Sequence, residues 1–299
     1  MGRRRRAAVT HGIAVVDKPS GVTSHDVVGM LRRRFDERQV GHAGTLDPDA
    51  TGVLVVAVGM ATKLLRFVEK TTKEYRGEVV LGIETSTLDA AGEVTARHEM
   101  SGVSTADVRR VVDEHLTGDI QQIPPMVSAI RVDGKRLHEL ARAGIEVERE
   151  ARSCTISRFD VEPADESGVY SIDVECTSGT YIRSLAADLG TLLGGGAHLR
   201  SLRRTAVGPF SIAEAASPDE CELLSVETAV RHLDRVEVDE ATAALVANGR
   251  VLPAWTGEGP WSVAGPDGVL LAVYAAFRDG EAKPAVVLPN SQTWLPNRS

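Results

Sequence analysis

Hydrophobic and polar positions along the chain predict a mixture of strands and helices. The runs at 12–17 and 53–58 are almost wholly apolar, which is typical of buried strands. The segment 73–83 alternates, so that Tyr75, Val79 and Leu81 share one face of a strand. Apolar residues recur with helical spacing at 24–35 and 104–117, and Thr23-Ser24-His25-Asp26 has the form of a capping box at the start of the first helix. These patterns predict a folded domain that contains strands and helices together.

The pattern changes after residue 237, where short apolar runs alternate with turns. Turn signals recur about every ten residues, at Gly249, Gly259-Pro260, Gly268 and Gly280. This spacing predicts a small β-rich module, such as a compact barrel. We therefore divide the chain into a basic flexible tail at 1–10, a main domain at 11–236 and a β-rich module at 237–299.

The loop at 41–52, before the second apolar run, is the strongest candidate for a segment that carries catalytic residues. It holds three glycines, one proline and the carboxylate of Asp47. Pro48 favours an extended backbone at Asp47, a geometry that presents a side chain at the end of a strand. An Asp before Pro can instead accept hydrogen bonds within a turn, and Asp47 with Asp49 can bind a hard cation. The loop alone does not decide between these interpretations.

A second loop at 176–181 leads into a helix that begins near Tyr181. Arg183 then lies in the first turn of this helix, where the helix dipole disfavours a cation. Such a position suggests a carboxylate partner elsewhere in the chain, and Asp47 is a natural one. The alternative is an exposed arginine on a helix surface.

Composition narrows the class of protein further. The 299 residues are 42% hydrophobic and carry a net charge of −8, but residues 1–76 hold 14 Lys/Arg against 8 Asp/Glu. A basic first quarter permits contact with nucleic acid, although basic residues also decorate solvated surfaces. The cysteines Cys154, Cys176 and Cys221 form neither a disulfide framework nor a zinc pattern, which favours a reducing cytoplasm. No apolar run approaches the length of a membrane span, and no secretory signal is evident.

Five motifs in order resemble those of the TruB-type family of bacterial tRNA pseudouridine-55 synthases. The resemblance covers roughly residues 12–210. It rests on Asp17-Lys18-Pro19-x-Gly21-x-Thr23-Ser24, Gly41-His42-Ala43-Gly44-Thr45-Leu46-Asp47-Pro48, Ala61-Thr62-Lys63, Lys73-Glu74-Tyr75-Arg76-Gly77 and Gly179-Thr180-Tyr181-Ile182-Arg183-Ser184-Leu185. The tail is similar, more loosely, to the PUA-type RNA-binding module that ends many of these enzymes.

The resemblance implies an α+β fold. We expect a central mixed, mostly antiparallel sheet with flanking helices and a cleft across its middle, followed by the PUA-like module. The implied substrate is the T-arm of tRNA, whose target uridine is flipped out of its stack, cleaved at the glycosidic bond, turned and rejoined through carbon.

The resemblance also implies a role for each motif residue. Asp47 is the expected nucleophile, Tyr75 stacks on the base and helps to remove the C5 proton, and Arg183 keeps Asp47 ionised and aimed. Substrate-binding roles are expected at five further positions. Tyr181 and Leu202 line the pocket, His42 fills the space left by the flipped nucleotide, and Lys18 and Lys63 shape the pocket or hold phosphate.

The implied reaction needs no cofactor and no metal. We expect a cytoplasmic monomer that binds tRNA, with no membrane association and no obligate protein partner. Three alternatives remain: a metal-dependent hydrolase that uses Asp47 and Asp49, a non-catalytic RNA-binding or RNA-folding protein of the same fold, and an enzyme that works with guide RNA and protein partners. The tail module and basic first quarter disfavour the last of these.

Overall fold

The computed structural model describes residues 10–128, 131, 132, 135, 136, 145 and 147–289. The predicted basic tail at 1–10 therefore lies outside the described residues, except for its last residue. Within the described ranges, none of the helices has the length and hydrophobicity needed to cross a membrane.

The described chain contains strands of very different lengths, numbered here in chain order. They are β1 Gly12–Lys18, β2 Val40–Ala43, β3 Thr51–Val58, β4 Lys73–Leu81, β5 Ile83–Thr85, β6 Val94–Arg97, β7 Gly118–Gln122, β8 Arg131–Val132, β9 Lys135–Arg136, β10 Arg152–Pro163, β11 Val169–Cys176, β12 Ala197–Val207, β13 Phe210–Ser211, β14 Asp234–Glu237, β15 Leu252–Pro253, β16 Trp261–Ala264, β17 Leu270–Arg278 and β18 Glu281–Val287.

The α-helices of the described ranges are short and lie between these strands. They are α1 Ser24–Arg34, α2 Leu65–Glu69, α3 Thr105–Val111, α4 Ile182–Leu192 and α5 Glu240–Ala247. Helix α3 continues as a π-helical turn, Val112–Leu116, which matches the predicted helix at 104–117. Short 3₁₀ turns occupy Gly59–Leu64, Ile212–Glu214 and Val226–Val230.

A nine-stranded mixed sheet forms the main domain. Its order is β1-β3-β12-β4-β11-β10-β7, with β2 paired to β3 and β13 paired to β12. Strands β3 and β12 run parallel, and the other pairs are antiparallel. This confirms the predicted mixed, mostly antiparallel sheet. Strand β3 is apolar because both of its faces are buried: Val53, Val55 and Ala57 pack in one cluster and Leu54 and Val56 in another.

A five-stranded sheet in the order β14-β16-β17-β18-β15 forms the tail module, with α5 packed on β17 and β18. Its own core centres on Trp261, Tyr274 and Val263. Leu270 and Val273 of β17 belong to the same buried cluster as residues of the main domain, so the two sheets share a hydrophobic contact. The second sheet takes in β14 from Asp234 onward, three residues before the start predicted for the module, and the domain division remains a prediction.

Gly52 permits the close approach of β3 and β12 beside the candidate loop. Its φ is +101°, and a Cβ placed there would lie 2.2 Å from the Arg204 carbonyl oxygen. We expect Gly52→Ala to lower the free energy of unfolding by about 2–3 kcal/mol, because a backbone strand cannot move aside and the positive φ adds strain. Urea denaturation of the purified protein measures this loss.

Gly21→Ala is the matched control for this prediction. Gly21 also has a positive φ, +82°, but a Cβ added there would have no heavy atom of the described chain within 4 Å beyond its own neighbours in sequence. Only the conformational strain of about 1–2 kcal/mol remains there. Equal losses of unfolding free energy in the two variants would contradict the role assigned to the close approach of β3 and β12.

Candidate active site

The loop that carries Asp47 is fixed by contacts from the start of α1. Thr23 and Asp26 form the capping box predicted from the sequence, so the helix begins at Ser24. The buried Ser24 hydroxyl accepts a hydrogen bond from the Leu46 N–H (2.9 Å) and donates one to the Leu46 carbonyl (3.1 Å). The residue before Asp47 is therefore held on both sides of its backbone.

Lys18 holds the other end of the loop. Its side chain is completely buried, and its Nζ donates to the carbonyl oxygens of Pro19 (2.9 Å), Val22 (2.7 Å) and Pro48 (2.9 Å). The Pro48 carbonyl also accepts the Gly21 N–H at 3.0 Å. Burial lowers the pKa of Lys18, with Asp49 and Asp47 acting in the opposite direction. Asp47 is thus presented from a segment with little freedom to move.

Arg183 pairs with Asp47 through two nearly parallel contacts, as expected from the sequence. Its Nε lies 2.9 Å from Oδ2 and its Nη2 lies 3.2 Å from Oδ1. The Arg183 side chain is 6% exposed, whereas that of Asp47 is 42% exposed. A two-point contact with a buried guanidinium fixes the orientation of the carboxylate while leaving it accessible to a ligand.

The remaining N–H groups of Arg183 are occupied by the loops around it. Nη1 donates to the Thr87 carbonyl (3.0 Å) and Nη2 to the Val127 carbonyl (2.9 Å), while the Asp89 carboxylate lies 3.5 Å from Nη1. The guanidinium therefore lies between two carboxylates, Asp47 and Asp89. Asp89 is a member of this site that sequence analysis did not single out.

Gln122 positions the helix that carries Arg183. This buried side chain accepts the Tyr181 N–H (2.7 Å) and donates to the Tyr181 carbonyl (3.0 Å). Tyr181 is the N-cap residue of α4, so the clamp fixes where the helix begins and hence where Arg183 points. The first turn of α4 is buried, and the carboxylates of Asp47 and Asp89 are what stabilise a cation at this unfavourable end of the helix.

A cavity of about 270 Å³ opens beside the Asp47 carboxylate. This volume is just below the range of about 300–1,000 Å³ that is typical of drug-sized ligand sites, and it suits a single base. The wall combines the two loops with residues of β4 and β12. It includes Asp47, Tyr75, Tyr181, Arg183 and Leu202, together with Gly44–Leu46, Lys73, Ser128, Thr177–Thr180, Ile182 and Arg204.

The Asp47 carboxylate has a shifted pKa. Burial raises the pKa of Asp47, Arg183 opposes this shift and Asp89 reinforces it. If the ionised carboxylate reacts, activity is present above this pKa and is lost as the pH falls through it. We expect the apparent pKa of the acid limb of kcat/KM to be higher than about 3.9, the ordinary pKa of an aspartate side chain. A pH profile measures it, and a limb at or below that value would contradict the prediction.

Family comparisons agree with this architecture. The profile of the TruB family pseudouridylate synthase N-terminal domain matches residues 32–182. The C-terminal domain of tRNA pseudouridylate synthase B matches 183–240, and that of tRNA pseudouridine synthase II matches 233–289. The chain belongs to the TruB family of pseudouridylate synthases.

Curated relatives extend this similarity over nearly the whole chain. A protein named tRNA pseudouridine synthase B from Arthrobacter sp. (strain FB24) is 44% identical, with 94% of this chain and 97% of the relative covered. One of the same name from Streptomyces griseus subsp. griseus is 48% identical over 92% and 96%. A third, from Halalkalibacterium halodurans, is 42% identical over 94% and 98%.

Solved structures share the fold at lower sequence identity. A Cbf5-Nop10-Gar1 complex superposes with a TM-score of 0.72 at 24% identity, covering 97% of this chain and 88% of that one. An H/ACA RNP bound to a substrate RNA containing 2′-deoxyuridine gives 0.70 at 22%, covering 96% and 88%. These likenesses support the TruB-type fold alone.

The motif residues of this TruB-family chain divide into two groups. Asp47, Tyr75, Arg183, Tyr181 and Leu202 all line the cavity. Tyr75 is buried and Leu202 half-buried, and burial raises the pKa of both Tyr75 and Tyr181. The structure therefore brings the expected reacting group and the expected pocket wall together, although their roles remain proposals.

Lys18, His42 and Lys63 lie outside the cavity wall. The three N–H groups of Lys18 are taken by backbone carbonyls, which fits the shaping of the loop and not the holding of phosphate. His42 lies on β2, half-buried, and burial lowers its pKa with Arg204 and His25 acting in the same direction. Lys63 is exposed on the 3₁₀ turn after β3, where its ammonium is accessible to solvent.

Sequence analysis missed Ser24, Asp89, Gln122 and Arg204 as members of the site. The sequence pattern places Ser24 at the start of a helix and Gln122 in a loop. It contains no signal that they bind the backbone of Leu46 and of Tyr181. In the described part of the chain, no group of three or more His, Cys, Asp or Glu side chains can hold a metal ion. The Asp47 loop and the cavity wall are held together by hydrogen bonds from side chains to backbone groups.

Proposed function

We propose that the chain converts the uridine at position 55, in the T-loop of tRNA, to pseudouridine. The observation that carries this proposal is the Asp47–Arg183 pair, presented into a base-sized cavity of a TruB-family chain. The curated relatives at 40–48% identity are named tRNA pseudouridine synthase B, which supports tRNA as the substrate. Action on tRNA favours a cytoplasmic enzyme, and we propose that it works as a monomer.

The reaction begins when the target base leaves its stack and enters the cavity, at a cost of roughly a few kcal/mol. The Asp47 carboxylate then attacks C1′, and the C1′–N1 bond breaks with its electron pair leaving on N1. The freed uracil turns in place. C5 bonds to C1′ as the carboxylate leaves, after which C5 loses its proton and N1 gains one. Atoms and charge balance without a cofactor.

Each part of the wall has a task in this sequence. Arg183 holds the Asp47 carboxylate ionised and aimed at C1′, because its two contacts stabilise the charged form. Tyr75 stacks on the base and takes part in removal of the C5 proton, while Tyr181 and Leu202 confine the ring as it turns. His42 and Lys63 lie outside the cavity, so we propose that they contact the RNA around the flipped nucleotide.

Unmodified tRNA transcript incubated with the enzyme in excess EDTA tests the function. Chemical labelling and primer extension then map pseudouridine, and filter binding measures affinity. A transcript with cytidine at the target position of the T-loop is the matched control. We expect one new pseudouridine in the first transcript and none in the second.

The possible outcomes separate the alternatives. Cleavage of the transcript in place of pseudouridine formation, abolished by EDTA, would favour the metal-dependent hydrolase. Tight binding of both transcripts without pseudouridine would overturn the proposal and leave an RNA-binding or RNA-folding protein. A requirement for an added guide RNA would indicate an enzyme that works with guide RNA and protein partners.

A further inference from the structure

Arg204 is a buried cation in the cavity wall. Its side chain is 1% exposed, and among the described residues it makes no ion pair with a carboxylate. Its Nε donates to the Val53 carbonyl (2.7 Å) and its Nη2 to the Gly44 carbonyl (3.1 Å). Burial raises the pKa of the Tyr75 hydroxyl, and the Arg204 guanidinium acts in the opposite direction. Within this part of the chain, its charge is therefore met by neutral groups.

Lys73 is a second buried cation in the same cavity wall. It is 4% exposed and lines the same cavity, and its Nζ donates to the carbonyl oxygens of Glu69 and Thr71 (2.5 and 2.6 Å). Within the described ranges it also makes no ion pair. Because successive side chains of a strand alternate, Lys73 lies on the same face of β4 as Tyr75. Arg204 stands opposite Tyr75 on β12, so both cations neighbour Tyr75 on one face of the sheet.

Two uncompensated charges in one buried wall are costly. Removing an ion from water without a counterion costs several kcal/mol, and replacement by apolar residues would avoid this cost. Arginine and lysine here face a cavity whose own carboxylate, Asp47, is already neutralised by Arg183. The wall therefore has an excess of positive charge before a ligand binds.

The proposed reaction generates an anion in this cavity. When the C1′–N1 bond breaks, its electron pair leaves with N1 and the uracil becomes an anion whose charge spreads over the ring and its oxygens. A fixed positive charge in a site screened from water stabilises such a species strongly. The charge disappears again once C5 has bonded to C1′.

We propose that Lys73 and Arg204 form a cationic pair that stabilises the detached uracil anion, and thereby lowers the barrier to glycosidic cleavage. This inference rests on the proposed function and adds a role for two residues outside the expected catalytic set. Arg204 also holds the backbone of Val53 and of Gly44 at the end of the loop, so its removal perturbs several contacts at once. Lys73 is the cleaner residue to test.

The first experiment compares uridine with 5-fluorouridine at the target position of the transcript. Fluorine withdraws electrons and stabilises the uracil anion, so cleavage depends less on the protein. We expect Lys73→Met to slow single-turnover conversion of uridine by about 10- to 100-fold and that of 5-fluorouridine by a clearly smaller factor. Lys73→Arg, which retains the charge, should recover most of the rate. Liquid chromatography coupled to mass spectrometry follows the loss of each nucleoside from digested RNA, because chromatography separates uridine from its isomer pseudouridine.

A second readout uses the titration of Lys73 in the wild type. Burial and the neighbouring Arg204 lower the pKa of Lys73 to about 8, while Cys176 and Glu69 oppose this shift. The protonated form is the active one, so the rate should fall as the pH rises through about 8. Burial raises the pKa of the facing Cys176 thiol to about 11 and that of Tyr75 as well, so neither accounts for a limb near 8. Lys73→Arg should lack this alkaline limb.

The outcomes distinguish this inference from the proposed function. If wild type forms pseudouridine but Lys73→Met slows both nucleosides equally, the role of Lys73 is structural and the inference is overturned. An alkaline limb that persists unchanged in Lys73→Arg overturns it too, and this comparison holds even if Lys73→Met fails to fold. If wild type forms no pseudouridine, the proposed function fails first.

Discussion

Replacement of Asp47 by asparagine should abolish pseudouridine formation while leaving tRNA binding intact. The amide has nearly the same shape as the carboxylate, so the hydrogen bonds that fix the loop through Leu46 and Pro48 remain. The amide is not a nucleophile toward C1′, and we expect the single-turnover rate to fall by about 10³-fold or more. Primer-extension mapping gives the rate, and filter binding gives the affinity.

Asp49→Asn is the matched control. Asp49 lies two residues further along the same loop, but it is exposed and lies outside the wall of the cavity beside Asp47. We expect its substitution to leave the rate within about twofold, as for other surface changes. Loss of activity in both variants, restored by added divalent cation, would instead support a metal bound by the two carboxylates.

Local sequence signals were sufficient for the outline of the fold and for one contact of the site. The capping box of Thr23 and Asp26 is a pattern within four residues, and the structure has it. The pairing of Arg183 with Asp47 followed from an arginine placed at an unfavourable helix end. In both cases the signal lies within a few consecutive residues at the start of a helix, which is why the sequence could reveal it.

The remaining site residues depend on the register of strands that are distant in sequence. Arg203 and Arg204 are adjacent and identical in type, yet Arg203 pairs with the half-exposed Asp17 whereas Arg204 is buried in the cavity wall, opposite Tyr75 in the strand pairing. Only the pairing of β12 with β4 decides which of the two faces inward. Lys18 shows the same limit, because its three carbonyl partners come together only after the loop has folded over β1.

Replacement of Arg183 by methionine should have the second-largest effect on the reaction. Methionine fills a similar volume but removes the two contacts to Asp47 and leaves the carbonyl oxygens of Thr87 and Val127 without their donor. The carboxylate of Asp89 also loses its cation. We expect kcat to fall by about 10²- to 10³-fold, with a smaller change in the affinity for tRNA. Single-turnover kinetics and filter binding measure the two quantities.

Arg109→Met is the surface control, since Arg109 forms an exposed pair with Glu162 that should contribute little to stability or activity.

The pH profile of the Arg183 variants separates a direct role of Arg183 from a general loss of structure. Arg183 lowers the pKa of Asp47, so its removal should move the acid limb of kcat/KM to higher pH. Arg183→Lys retains a charge but cannot make two parallel contacts, and its limb should lie between those of the wild type and Arg183→Met. A lower rate with an unmoved limb would show that Arg183 supports the fold of the site without controlling the ionisation of Asp47.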